Sequence, residues 1–327
     1  MPYYLGIDGG GTKTTSAIGD DSHILATATA GPSNIVRVGE HQARESLQRS
    51  VRQACAAAGI APEQVAHTCA GGSGAARPEL AAIVRRILAE ILPTPIDVVG
   101  DMQTALEAAF DTGPGIIVIA GTGSIAYGRD LAGNTARAGG WGFAVGDEGS
   151  AHWIGRTAVS AALRAADPRD GTPASARVPH VSPPLPDVGT PPPQDASLAV
   201  ALCKAWGVTS LDDLARAANS IPPPDFAALF PAVVNSHDPA ARYVLSCAGK
   251  ELAQIAAAVT HHLFGANDLG AVPVATTGGV FRHSQVVGED FYNELRRLDQ
   301  RAEISLKIVD PVDGALGLAR RAAAKKL

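Results

Sequence analysis

Tyr3-Tyr4-Leu5-Gly6-Ile7-Asp8-Gly9-Gly10-Gly11-Thr12-Lys13-Thr14 opens the chain, and Ile116-Ile117-Val118-Ile119-Ala120-Gly121-Thr122-Gly123-Ser124 repeats its pattern later. Each stretch is a short apolar run of β type that ends in a glycine-rich turn. Such a turn suits phosphate because, without Cβ atoms, the backbone comes close and aims several N–H groups at one anion. The hydroxyls of Thr12, Thr14, Thr122 and Ser124 add rotatable donors. Neither turn leads into a helix, since Thr15 to Gly19 and Ile125 to Gly128 keep extended character. A P-loop or a dinucleotide fingerprint would run straight into one. What remains is a strand-turn-strand phosphate hairpin, used twice. Glycines also make ordinary hairpin turns, but Asp8 favours the phosphate reading. A carboxylate at the mouth of a phosphate loop needs a divalent cation between them, and Mg²⁺ takes one or two carboxylates plus phosphate oxygens.

At 327 residues the chain is long for a single core, so two domains are expected, 1–112 and 113–327. A hydrophobic content of 46% with 18% charged residues describes an ordinary soluble globular protein. The net charge of -5 offers no basic patch for nucleic acid, and the pairs Arg320-Arg321 and Lys325-Lys326 read as the last turns of a helix. Asp8 and Lys13 interrupt the early apolar run, and no apolar stretch approaches the roughly 18 residues of a membrane span. A cytoplasmic protein without membrane partners is expected. Cys55, Cys69, Cys203 and Cys247 are scattered and read as buried free thiols.

Between the two turns the pattern predicts a helix from about His41 to Ala58, a strand over Val65–Ala70 running into Gly71-Gly72, and a helix opened by Pro78. The strand Ile96–Gly100 then places Asp101 at its carboxyl end. A Pro-rich stretch over 167–197 reads as an irregular surface excursion or lid. Helices are predicted over about Leu211–Ala218, Asp225–Asn235 and Pro239–Phe264. Strands follow at Val272–Val280 and Leu306–Val309, and a last Ala-rich helix is expected to pack back on the first domain. The weak internal repeat implies an α/β fold of two similar mixed domains facing each other across a cleft.

With these pieces placed, the chain resembles the sugar kinase, heat-shock chaperone and actin superfamily, whose duplicated ribonuclease H-like domains clamp ATP. The resemblance rests on Ile7–Thr12 and Ile119–Ser124 as phosphate motifs and Thr277-Gly278-Gly279-Val280 as an adenosine motif. Gly139-Gly140-Trp141-Gly142-Phe143-Ala144-Val145-Gly146-Asp147-Glu148-Gly149-Ser150-Ala151 looks like the segment found in N-acetylglucosamine kinases of the BadF/BadG/BcrA/BcrD type.

The resemblance implies roles residue by residue. Asp101 becomes the catalytic base, a role compatible with capping the helix that follows it. Gly10, Gly11, Thr12, Lys13, Thr14, Gly121, Thr122 and Gly123 would hold the ATP phosphates, and Gly278 and Gly279 the adenosine. Asp8 would hold Mg²⁺ directly or through water. Asn34, Gly71, Asp101, Thr122, Gly140, Trp141, Asp147 and Ala151 would line the sugar. Ala70 departs from members that carry a hydroxyl there. One neutral hydrogen bond is worth about 0.5–1.5 kcal/mol, so preference for an N-acetyl group is weakened, not abolished. The implied reaction is ATP-dependent phosphorylation of an amino sugar at the 6-hydroxyl of N-acetylglucosamine, in a homodimer. Glucosamine, N-acetylmuramic acid or another hexose stays open as substrate. An ATPase activator of a dehydratase or reductase shares the nucleotide fold but needs cysteines for an iron-sulfur cluster.

Overall fold

A computed structural model describes residues 2–166, 197–265 and 270–325. Apart from residue 197, the predicted Pro-rich excursion lies outside them. The chain forms two compact units, one of Met1–Ile117, Tyr127–Thr135 and Lys307–Leu327, the other of Val118–Ala126 and Ala136–Leu306.

The first part of the chain runs β1 (Tyr3–Gly9), β2 (Thr14–Gly19), β3 (Ile24–Ala30), α1 (Ile35–Ala58), β4 (Val65–Gly72), α2 (Pro78–Ala89), β5 (Ile96–Gly100) and α3 (Asp101–Phe110). Its sheet has the order β3-β2-β1-β4-β5. The hairpin β1–β2 and the pair β2–β3 are antiparallel, whereas β4 lies parallel to β1, and β5 to β4.

Side chains alternate across a strand, and that alternation sorts the core into two layers. Leu5, Ile7, Ile18 and Ala70 face Leu47, Val51 and Ala54 of α1 and Val84, Ile87 and Leu88 of α2. Tyr4, Ala17 and Cys69 face Val312, Leu316 and Ala319. Those last three belong to the final helix, α11, which packs on β1, β4 and α3 of the first unit.

The remaining elements are β6 (Gly115–Ala120), β7 (Ser124–Arg129), β8 (Thr135–Gly139), α4 (Ala151–Ala166), α5 (Leu198–Trp206), α6 (Leu211–Ala218), α7 (Phe230–Val234), α8 (Pro239–Phe264), β9 (Val272–Thr277), α9 (Gly279–His283), α10 (Gln285–Leu298), β10 (Ala302–Ile308) and α11 (Pro311–Ala324). The second sheet has the order β10-β9-β6-β7-β8. Read from its other edge, β8-β7-β6 corresponds to β3-β2-β1, and β9-β10 to β4-β5. The repeat sensed in two short motifs is thus a repeat of the whole strand order. No helix among the described residues is long and apolar enough to cross a membrane.

The structure adds β8, α9 and α10, which the sequence reading did not place, ends the expected Val272–Val280 strand at Thr277, and differs in two further elements. Helix α1 begins at Ile35, not His41, because the Asn34 side chain accepts hydrogen bonds from the N–H groups of Val36 (3.1 Å) and Arg37 (3.3 Å). Gly39, at φ +76°, then breaks the helical geometry and hides that first turn from any periodicity. Helix α5 was unforeseen behind the Pro-rich stretch; Asp238 accepts from Leu198 N–H (2.7 Å) and the left-handed Gly207 ends it.

Candidate active site

The residues singled out by sequence fall into two groups, one in each unit.

In the first unit, the β1–β2 hairpin is closed by Gly10 N–H donating to the Lys13 carbonyl (2.9 Å). The Gly10 carbonyl is anchored by the N–H groups of Ser33 (3.1 Å) and Asn34 (3.2 Å), and the Gly9 carbonyl by Ser73 N–H (3.0 Å). With these carbonyls tied inward, the turn is held without help from Thr14. That residue corrects the sequence reading: its side chain is fully buried, and its hydroxyl donates to the Gly31 carbonyl (2.8 Å) and shares a hydrogen bond with Ser33 Oγ (2.7 Å). A hydroxyl engaged inside the core is no phosphate donor. Asn34, expected at the sugar, spends its side-chain oxygen on the α1 cap.

Asp8 lies on the strand face shared by Tyr4 and Gly6, opposite Gly71 in the β1–β4 ladder. It is partly buried. Burial and the charges of Asp101 and Asp310 raise its pKa to about 7 against the opposing pull of Lys13. Asp101 opens α3 directly after β5. Burial raises its pKa as well, opposed by hydrogen bonds from Met102 N–H (2.9 Å) and the Ser73 hydroxyl. Ser73 thereby joins the first turn, through Gly9, to Asp101. Gly71 has a packing reason to be glycine: a Cβ there would lie 2.5 Å from Thr104 Oγ1 of α3. Thr104 in turn donates to the Asp101 carbonyl (2.9 Å).

Asp310 and Ser73 were not foreseen. Asp310 sits at the N-cap position of α11 without making a cap bond. Its sequence signal was the Asp310-Pro311 start of the last helix, a pattern that suggests a cap and nothing more.

In the second unit, Gly121 N–H donates to the Gly123 carbonyl (2.9 Å). The amino end of α4 clasps this turn, with Ala151 N–H donating to the Gly121 carbonyl (2.8 Å) and His152 N–H to that of Thr122 (3.4 Å). Asp147 is buried and takes a left-handed backbone, φ 61°, which is uncommon outside glycine. Its carboxylate accepts from Gly142 N–H (3.3 Å) and Ser124 N–H, tying the 139–149 loop to the second turn. Burial raises its pKa, and these two bonds oppose the rise. A Cβ on Gly123 would come 2.8 Å from Asp147 Oδ2, so the turn must stay glycine for the carboxylate to reach it.

Trp141 is 69% exposed, with the Arg137 guanidinium 4.9 Å from its ring centre. It is therefore not a core residue, and the left-handed Gly139 and Gly140 present it from the loop. Gly278, at φ +106°, lets the end of β9 press against the Ala120 carbonyl, immediately before the second turn. Gly279 has open space where a Cβ would stand. Cys55, Cys69 and Cys247 are buried and Cys203 is partly exposed; burial pushes the Cys69 thiol up to about 12.

Two sheets of one topology, each with a strand-turn-strand glycine hairpin at the end of its central strand, define the duplicated α/β fold of actin-like ATPases and sugar kinases. The chain belongs to the BadF/BadG/BcrA/BcrD ATPase family, which it matches over residues 5–321. It is 40% identical over 171 residues to an N-acetylmuramic acid/N-acetylglucosamine kinase of Clostridium acetobutylicum, covering 52% of this chain and 56% of that protein. It is 33% identical over 175 residues to an N-acetyl-D-glucosamine kinase of Dictyostelium discoideum, covering 50% and 55%. The chain thus spans just over half the length of these curated relatives. A solved structure of a candidate N-acetylglucosamine kinase from Chromobacterium violaceum is 26% identical, covers 98% of this chain and 99% of its own, and has a TM-score of 0.71. A ROK family glucokinase from Streptomyces griseus, solved with glucose and AMPPNP, shares the fold at a TM-score of 0.60 and 16% identity, covering 98% and 99%.

Proposed function

We propose that this protein transfers the γ-phosphoryl group of ATP to an amino sugar, with the 6-hydroxyl of N-acetylglucosamine as first choice and N-acetylmuramic acid as second. The single observation that carries the reading is Asp101: a strand-end carboxylate with a raised pKa, oriented by Met102 N–H and Ser73, and linked through Ser73 to a glycine turn. Kinase relatives of both sugars support the substrate class.

In this reading Asp101 accepts the proton of the attacking hydroxyl, worth about 10²–10⁴-fold. The sugar oxygen bonds to the γ-phosphorus as the bond to the departing ADP oxygen breaks. Backbone N–H groups of the two glycine turns, with Thr12 and Thr122, hold the phosphates, and most of the acceleration comes from positioning and charge neutralisation. Asp147 and Trp141 take the sugar, one as acceptor for hydroxyls and one as an apolar face. Mg²⁺ fits Asp8, a hard oxygen donor with no side-chain hydrogen bond among the described residues. Bound there, the ion would neutralise phosphate charge. Among the described residues no cluster of three acidic, histidine or cysteine side chains forms a metal cage, and an ion carried on nucleotide phosphates needs none.

The test is coupled detection of ADP release over a panel of hexoses and amino sugars. N-acetylglucosamine should stimulate release most strongly. If no sugar stimulates it above background, the kinase assignment fails.

A further inference from the structure

The 139–149 loop is anchored at both ends and folded on itself between them. A Cβ on Gly140 would come 2.7 Å from Ile125 Cδ1, and one on Gly149 2.5 Å from Leu252 Cγ, so the loop enters against β7 and leaves against α8. Between those points the Gly142 carbonyl accepts from the N–H groups of Val145 (3.2 Å) and Gly146 (2.9 Å), while Gly142 N–H donates to the Asp147 carboxylate. Residues 141–147 thus form one small knot, and it carries both Trp141 and Asp147. The Asp147 bond to Ser124 N–H secures the exit side of the knot. Its turn is secured elsewhere. Phe143 is 53% exposed there, and its ring centre lies 5.1 Å from that of His152.

His152 is the second residue of α4, half-buried, and its ring meets Phe226 edge-on at 5.3 Å. Phe226 meets Trp206 of α5, also at 5.3 Å, and its backbone is pressed onto α4 so closely that a Cβ on Gly155 would run into its carbonyl. A row of four rings therefore runs from the knot into packed helices. Supports at the two ends of a loop leave it free to rock about the line between them, and a third support off that line fixes its tilt. The backbone of the same residue reaches the phosphate turn, where His152 N–H donates to the Thr122 carbonyl (3.4 Å). We propose that His152 is a positioning residue for the sugar: its ring sets the tilt of the knot that carries Trp141 and Asp147, in step with the turn that its N–H holds. This rests on the sugar-kinase reading above. It adds a residue that acts through Phe143.

The test uses the full-length protein, with N-acetylglucosamine as probe, and compares wild type with His152→Ala, His152→Phe, Phe143→Ala and the double alanine variant. Each single alanine variant should raise the sugar Michaelis constant about three- to tenfold, the span that one aromatic pair supplies. The turnover number and ADP affinity should stay near wild type. Because both changes remove one interaction, the double variant should be no worse than either single one. His152→Phe restores a ring and should return the Michaelis constant to near wild type. Without any sugar, amide hydrogen exchange over 139–149 should be faster in the alanine variants and normal in His152→Phe. Trp206→Leu is the control at the far end of the row: it should lower the melting temperature and leave the Michaelis constant alone. Phe143→Ala, at the exposed end, keeps the test open if His152→Ala folds poorly. Unchanged Michaelis constants in the alanine variants overturn the proposal, as do losses that multiply in the double variant or a His152→Phe variant as weak as His152→Ala. An equal rise in Trp206→Leu would make the row merely structural and overturn it too. If no sugar stimulates the wild type, the kinase reading falls and takes the sugar role of His152 with it, whereas a stimulated wild type with indifferent variants sinks the positioning role alone.

Discussion

The two glycine turns sit on sheets of the same strand order, yet the carboxylates beside them are partnered differently. Around the first turn, Asp8, Asp101 and Asp310 gather with one opposing lysine, and Asp8 carries a pKa raised to about 7. Beside the second, the neighbouring loop brings Asp147 and Glu148, and the Asp147 carboxylate accepts from the N–H groups of Gly142 and Ser124. A turn of the first kind calls for a cation. A turn of the second kind is already braced, and Asp147 fixes the shape of the loop that carries Trp141. Duplicating a scaffold therefore does not duplicate its chemistry, because the loops after the strands decide which charges are compensated.

The comparison breaks most visibly at Asp101. Asp101→Asn keeps the size of the side chain and an acceptor for Met102 N–H but removes the proposed base. Turnover should fall by about 10²–10⁴-fold with sugar and nucleotide dissociation constants within a few-fold of wild type. Steady-state kinetics alongside calorimetric binding would check this, and near-normal turnover would remove Asp101 from the mechanism.

Asp8 tests the uncompensated side through stability. Its pKa is higher in the folded protein than the ordinary 3.8, so ionising it opposes folding. The penalty is absent below about pH 4, grows as the pH rises, and is complete above about pH 7. Asp8→Asn removes it. In the nucleotide-free protein the variant should gain on wild type between pH 4 and 8, by on the order of 1–4 kcal/mol, since each tenfold loss of acidity on folding is worth about 1.4 kcal/mol. Urea titrations across that range would measure it, and a constant difference between the two proteins would count against the charge cluster.

At the second turn, Asp147→Ala leaves two backbone donors without their acceptor and puts a residue poorly suited to φ 61° in its place, which should cost about 1–3 kcal/mol. Asp147→Asn keeps an acceptor and tolerates the left-handed backbone, so most of that loss should be spared. Thermal melts separate the two. Weakened sugar binding in the Asn variant, by about tenfold or more, would show the carboxylate also meets substrate.

The smallest effect belongs to Trp141. Because the ring is largely exposed, Trp141→Ala should change stability by no more than about 0.5 kcal/mol. Sugar affinity should still drop, and an unchanged Michaelis constant for every sugar tested would detach Trp141 from the site.

Much of the fold was legible because it is written locally. The hairpins, the strand ends at Asp8 and Gly100, and the helix opened by Pro78 follow from neighbours in sequence, and β-branched runs stopped by glycine say where strands end. What was missed was missed for physical reasons. Gly39 interrupts α1, so the first turn shows no periodicity. The residues of α5, between the Pro-rich stretch and Leu211, were left unassigned. Thr14 looked like a turn hydroxyl because nothing local tells a hydroxyl facing solvent from one facing Ser33.

The sequence by itself determined the strand-turn-strand hairpins, the duplication and the position of Asp101 at a strand end, since each depends on residues a few positions apart. Only the tertiary structure decided which side chains were free to act. It buried Thr14, spent the side-chain oxygen of Asn34 on a helix cap, bound Asp147 to two backbone donors, and brought the charge of Asp310 to bear on Asp8 from the other end of the chain. Charge and hydrogen bonding act through space, and distance along the chain carries no record of them until the helices are packed.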